Sequence, residues 1–133
     1  MGFSSADEVR RYLGGVFETA FADPEIGPKL RDTGLVLRFA YSAPDTSIVI
    51  DCGQGAVLDA DADPETNATM SMSAETGNAY WQGKVNLPLA MAKGKIRVEG
   101  NVASLLKLAP LSKRFFPVYV ETLRADGRDD LVV

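Results

Sequence analysis

Few side chains in these 133 residues could do chemistry, and their kinds exclude more than they suggest. No histidine occurs, so histidine-activated serine or cysteine nucleophiles and histidine-ligated zinc are ruled out. The lone cysteine, Cys52, shares an alternating apolar face with Ile48 and Ile50. With no imidazole to activate it, it reads as a small buried strand residue. Asp59, Asp61, Asp63 and Glu65 invite a calcium loop, but Pro64 stands where such a loop needs glycine and Met70 where it needs glutamate. These acids read instead as the wet face of a strand. A buried acid–base mechanism would need an inward carboxylate, yet Asp51 and Glu99 alternate with Ile50 and Val98 and should face water. The chain is therefore read as non-catalytic, with no metal and no cofactor.

Two basic groups remain. Lys93, Lys95 and Arg97 could meet an anionic head group. Lys107, Lys113 and Arg114, next to Phe115 and Phe116, could touch a membrane transiently. Both are also explained as solvated faces. The net charge of −4 argues against nucleic acid, which wants a basic surface. A hydrophobic fraction of 46% in a chain of this length fits one domain, 1–133, with a core that needs no staples. The start, Met-Gly-Phe-Ser-Ser-Ala-Asp-Glu, lacks the basic and apolar regions of a signal peptide, and no apolar run approaches a membrane span. The expected location is cytoplasmic.

Period and punctuation then set the elements. Ser5 and Glu8 form a capping box before Val9, Leu13, Val16, Phe17, Ala20 and Phe21 at helical spacing; Asp23-Pro24 ends that helix. A short helix over 25–31 stops at Gly34. Leu35, Leu37, Phe39 and Tyr41 alternate, as do Ile48, Ile50 and Cys52, then Val57 and Leu58 follow, then Ala68, Met70 and Met72: four strands with one dry face each. Ser73 and Asn86 can cap two helices, and Lys95 to Glu99 reads as a strand with Ile96 and Val98 inward. Asn101 starts a helix that Pro110 should break. A last amphipathic segment carries Phe115, Phe116, Tyr119, Val120 and Leu123, with Pro117 at a kink or at its start. The polar tail 126–130 is expected to fray. This is an α+β pattern in two layers, a mostly antiparallel sheet under helices.

The stretch Gly83-Lys84-Val85-Asn86-Leu87-Pro88, followed by Lys95-Ile96-Arg97-Val98-Glu99-Gly100-Asn101 and Leu105-Leu106-Lys107-Leu108, resembles the ordered motifs of sterol carrier protein 2 domains, in their bacterial single-domain form. The family often has proline directly after the asparagine of the turn, whereas Leu87 intervenes here. The resemblance implies a five-stranded sheet with helices over one face and an apolar tunnel between them. It implies a non-catalytic carrier of a fatty acid, fatty acyl-CoA or sterol. Alternatively, the domain would dimerise or present substrate to a lipid-metabolising enzyme. On this reading the tunnel wall would draw on Phe17, Phe21, Phe39, Met70, Met72, Trp81, Leu89, Met91, Leu105, Leu108, Phe115, Phe116, Tyr119 and Val120. Any one of these would serve equally as ordinary core. The methionines, which adapt to varied apolar shapes, and the aromatic stripe after Pro110 favour the tunnel.

Overall fold

In the computed structural model, which describes residues 2–58, 61, 62 and 64–133, the capping box is formed with a one-residue offset. The Glu8 N–H donates to Ser5 Oγ at 3.2 Å, while the Glu8 carboxylate accepts from the Ser4 N–H at 3.0 Å. The first helical segment runs as α1 (Ala6–Val9), a π-helical turn (Arg10–Gly14) and α2 (Gly15–Ala22). Its apolar stripe buries Val9, Leu13, Val16, Ala20 and Phe21. From the π turn, Arg10 donates to the Ser47 and Leu58 carbonyls at 2.8 and 3.0 Å, pinning this segment to the sheet. Helix α3 (Ile26–Thr33) ends at Gly34, whose φ of 63° is the left-handed cap that glycine adopts without strain.

Strands β1 (Val36–Ser42), β2 (Thr46–Asp51), β3 (Ala56–Leu58), β4 (Ala68–Ser73) and β5 (Arg97–Gly100) form one open sheet in the order β3-β2-β1-β4-β5. All neighbours are antiparallel except β1 and β4, which are parallel. Register aligns the dry residues across three strands: Leu37 lies opposite Ile50 and Ala68, Phe39 opposite Ile48 and Met70, and Tyr41 opposite Met72. Helices α4 (Ala74–Trp81), α5 (Leu87–Ala92), α6 (Val102–Ser112) and α7 (Phe116–Ala125) complete the fold. Ser73, Asn86 and Asn101 each cap a helix by accepting a backbone N–H.

Four expectations change. Residues 59, 60 and 63 of the acidic run lie outside the described residues; β3 ends at Leu58, and residues 61, 62, 64 and 65 are not in a strand. On the face read as wet, Val49 is fully buried, and the Arg38 guanidinium reaches across that face to the Ala62 carbonyl at 3.2 Å. Pro110 does not break its helix: α6 continues to Ser112 and passes through a 3-10 turn (Lys113–Phe115) into α7. Pro110 and Leu106, whose carbonyl loses its partner, both lie on the exposed side. There solvent can take the place of the lost hydrogen bond. Pro117 sits in the first turn of α7, where no N–H is needed.

The tail does not fray. Arg128 pairs with Glu8 at 3.0 Å and with Asp130 at 3.1 Å, and Asp126 accepts from Arg11 and Tyr12. A last 3-10 turn (Asp129–Leu131) then buries Leu131. Below it lies a buried polar network. Tyr119 donates to Asn78 Oδ1 at 2.6 Å, Gln82 donates to Asn78 Oδ1 and to the Leu131 carbonyl, and Asn78 donates to the same carbonyl at 2.8 Å. Every buried side-chain polar atom sealed from solvent among the described residues has a partner, as burial at low dielectric demands.

Candidate functional site

Between the dry face of the sheet and the helices lies a cavity of about 70 Å³. Its floor is the aligned strand residues Leu37, Phe39, Tyr41, Ile50, Met70 and Met72. The first helices supply Phe17, Ala20, Phe21, Ile26 and Leu30. Gly77, Tyr80, Trp81 and Leu87 close it from α4 and α5. Leu105, Leu108, Ala109, Leu111 and Ser112 of α6, with Phe115 just beyond, roof it. Period two on the strands and the helical stripe thus converge on one space. Aromatic rings brace one wall: Phe17 stacks obliquely on Phe39, and Trp81 takes Phe17, Tyr80 and Phe116 edge-on at 5.4 to 6.1 Å.

The wall carries no carboxylate, lysine or arginine among the described residues. Its polar side-chain groups are those of Cys52, Tyr41, Tyr80 and Ser112 and the indole N–H of Trp81. Burial pushes the Cys52 thiol up, which favours its protonated form. Burial also raises Tyr80, whose hydroxyl lies 2.8 Å from Ser112 Oγ. No group of three potential metal ligands occurs among the described residues. The space is lined almost wholly by apolar side chains.

Nine of the residues read as wall from the sequence meet there: Phe17, Phe21, Phe39, Met70, Met72, Trp81, Leu105, Leu108 and Phe115. Five lie elsewhere. Leu89 is half exposed in a groove shared with Lys84, Lys93 and Lys95, because α5 turns its Leu87 and Ala90 inward instead. Met91 lies on the half-buried side of the same short helix. Phe116 packs on the outside of Tyr80 and Trp81. Tyr119 is committed to Asn78 in the tail network, and Val120 is half-buried on that helix. Of the basic residues, Arg114 is engaged by Asp23 and Glu25 at 3.0 and 3.2 Å, and Arg97 lies outside both the cavity and the groove. Leu37, Tyr41 and Ile50 were missed as wall, although they share faces with Phe39 and Ile48; period two alone would have found them.

Solved structures of the same shape place this geometry. The sterol carrier protein domain 2 of Helicoverpa armigera is 24% identical, with 87% of this chain and 96% of that one covered and a TM-score of 0.69. Sterol carrier protein 2 of Aedes aegypti, solved in complex with palmitate, is 24% identical over 80% and 92% of the two chains, with a TM-score of 0.57. A UbiJ-SCP2 ubiquinone synthesis protein is 16% identical over 83% and 93%, with a TM-score of 0.62. At such identities the likeness shows the fold. No curated protein sequence matches the chain. The SCP-2 sterol transfer family matches residues 16–113, from the first cavity-lining helix to the end of the helix that roofs it. With that match over most of its length, the chain belongs to the SCP-2 sterol transfer family.

Proposed function

We propose that this chain, as a single domain over 1–133, binds a long apolar lipid between its helices and its sheet and carries it without altering it. The observation that carries this reading is the cavity itself: a space walled by aromatic, aliphatic and methionine side chains, with no ionised group in the wall among the described residues. The palmitate complex of the Aedes aegypti relative supports a fatty acid as one ligand class. Burying a few hundred Å² of chain is worth about 25 cal/mol per Å² before ordering costs, enough for micromolar binding. No helix among the described residues is long and apolar enough to cross a membrane, and a cytoplasmic carrier is the proposed setting. Native mass spectrometry of freshly purified protein should show a lipid adduct. A bare chain, together with no response to added palmitate, would defeat the proposal.

A second reading is favoured by the size of the cavity. About 70 Å³ holds a few water-sized groups, so the unliganded interior is mostly filled by its own side chains. That suits an accessory module that dimerises or serves a lipid-metabolising enzyme, and the likeness to a UbiJ-SCP2 ubiquinone synthesis protein supports the latter role. The same spectrum separates the two, since it reports subunit count beside bound mass.

A further inference from the structure

Within this apolar wall one hydroxyl stands apart. Tyr41 is 6% exposed, belongs to the cavity wall, and has no hydrogen-bond partner among the described residues. Its ring is held in place on both sides. Met72 lies beside it across the parallel pair, and Gly77 of α4 lets the ring approach so closely that a Cβ there would fall 2.8 Å from Tyr41 Cε1. Burial drives the phenol's pKa far up, so the group is neutral and keeps its proton to donate. Elsewhere in the interior polar atoms are paired with care: Asn78, Gln82 and Tyr119 satisfy one another and the Leu131 carbonyl. Because every sealed polar side-chain atom among the described residues is paired, the Tyr41 hydroxyl must keep open surface, and the space its residue lines is the cavity, where a ligand oxygen can take its proton.

A second hydroxyl in the wall completes the chemistry. Ser112 Oγ donates its one proton to the Ala109 carbonyl at 2.6 Å. The Tyr80 hydroxyl, 2.8 Å away, must therefore be the donor of the Tyr80–Ser112 pair. That leaves Tyr80 with lone pairs and no proton to give the cavity. Tyr80 lines the same cavity as Tyr41. Tyr41 is thus the hydroxyl donor left free in the wall, and both phenols keep acceptor lone pairs. A hydroxyl can use both kinds, a carbonyl can use the donor, and a carboxylate meets acceptors with no cation to neutralise it.

Resting on the cavity being the lipid site, we propose that Tyr41 determines specificity, holding a neutral oxygen of the ligand's inner end, best a hydroxyl, while an acid would keep its carboxylate away from this end. Titration of the intact chain with decan-1-ol, 1-chlorodecane and decanoate, followed by Trp81 fluorescence, tests this in wild type and in Tyr41→Phe. The variant should weaken decan-1-ol about three- to tenfold, the scale of one net hydrogen bond, and leave 1-chlorodecane and decanoate unchanged within about twofold. Its unliganded melting temperature should not fall, since no protein hydrogen bond is removed; a marked fall would overturn the claim that the hydroxyl is unpartnered. Equal weakening of all three ligands, or none, would make Tyr41 mere wall with its hydroxyl met by water, and overturn the proposal. Weakening of decanoate alone would place a carboxylate there and also overturn it. If none of the three binds wild type, the lipid reading itself fails, a result distinct from the others.

Discussion

The indole of Trp81 and the ring of Phe17 meet edge-on with centroids 5.4 Å apart and planes at 86°, joining α4 to α2 above the sheet. Trp81 is the single tryptophan, and both rings line the cavity. A bound chain must lie against this pair. Ligand binding is expected to shift Trp81 emission and to slow its quenching by acrylamide. An emission spectrum that stays fixed while native mass spectrometry shows bound lipid would place the ligand outside this cavity.

Filling the space should block it. Ala109 faces the cavity from α6 and is half-buried. Ala109→Leu would use up most of the roughly 70 Å³ available. Palmitate affinity is expected to fall at least about tenfold, with stability changed by about 1 kcal/mol or less. Undiminished binding would mean that the helices part somewhere other than beneath α6.

The tail network should matter for stability and not for binding. Asn78 accepts from Tyr119 and Gln82 and donates to the Leu131 carbonyl, all away from the cavity wall. Asn78→Ala leaves the Tyr119 hydroxyl buried without its acceptor and is expected to cost about 3 kcal/mol in urea unfolding. The affinity of the surviving folded protein should be unaltered. A loss below about 1 kcal/mol would show that the tail is held by the Arg128 ion pairs instead.

The four tyrosines give a pH signature. Tyr12, Tyr41, Tyr80 and Tyr119 are all raised above the ordinary phenol value, each chiefly by burial. Their folded values exceed their unfolded ones, so their contribution to stability is whole below about pH 10 and disappears as pH climbs through the raised values. Alkaline titration should show phenolate absorbance rising together with loss of circular dichroism. A separate phenolate step near pH 10 in folded protein would contradict the burial of Tyr41 and Tyr119.

Much of this fold is legible along the chain because its rules are local. Alternation at Leu37, Phe39 and Tyr41 or at Ala68, Met70 and Met72 shows a strand and its dry face, and Ser5, Ser73, Asn86 and Asn101 mark helix starts by capping chemistry. What is not legible depends on partners far away in sequence. Tyr119 carries the same helical spacing as Phe115, yet one hydroxyl finds Asn78 and the other ring finds the cavity. The short helix over Leu87 to Ala92 is under two turns, too brief for spacing to say that Leu89 turns outward and that Met91 packs against the core without reaching the cavity wall. The polar tail gives no sign of order because the partner of Arg128 is Glu8, 120 residues earlier. The parallel pairing of β1 with β4 is likewise a contact that no local pattern encodes.

The meeting of Glu8 with Arg128 has an architectural consequence. It ties the first helical turn to the last 3-10 turn across 120 residues of sequence. Neither segment can lift from the domain without breaking a contact of the other, so opening at the two is expected as one cooperative event.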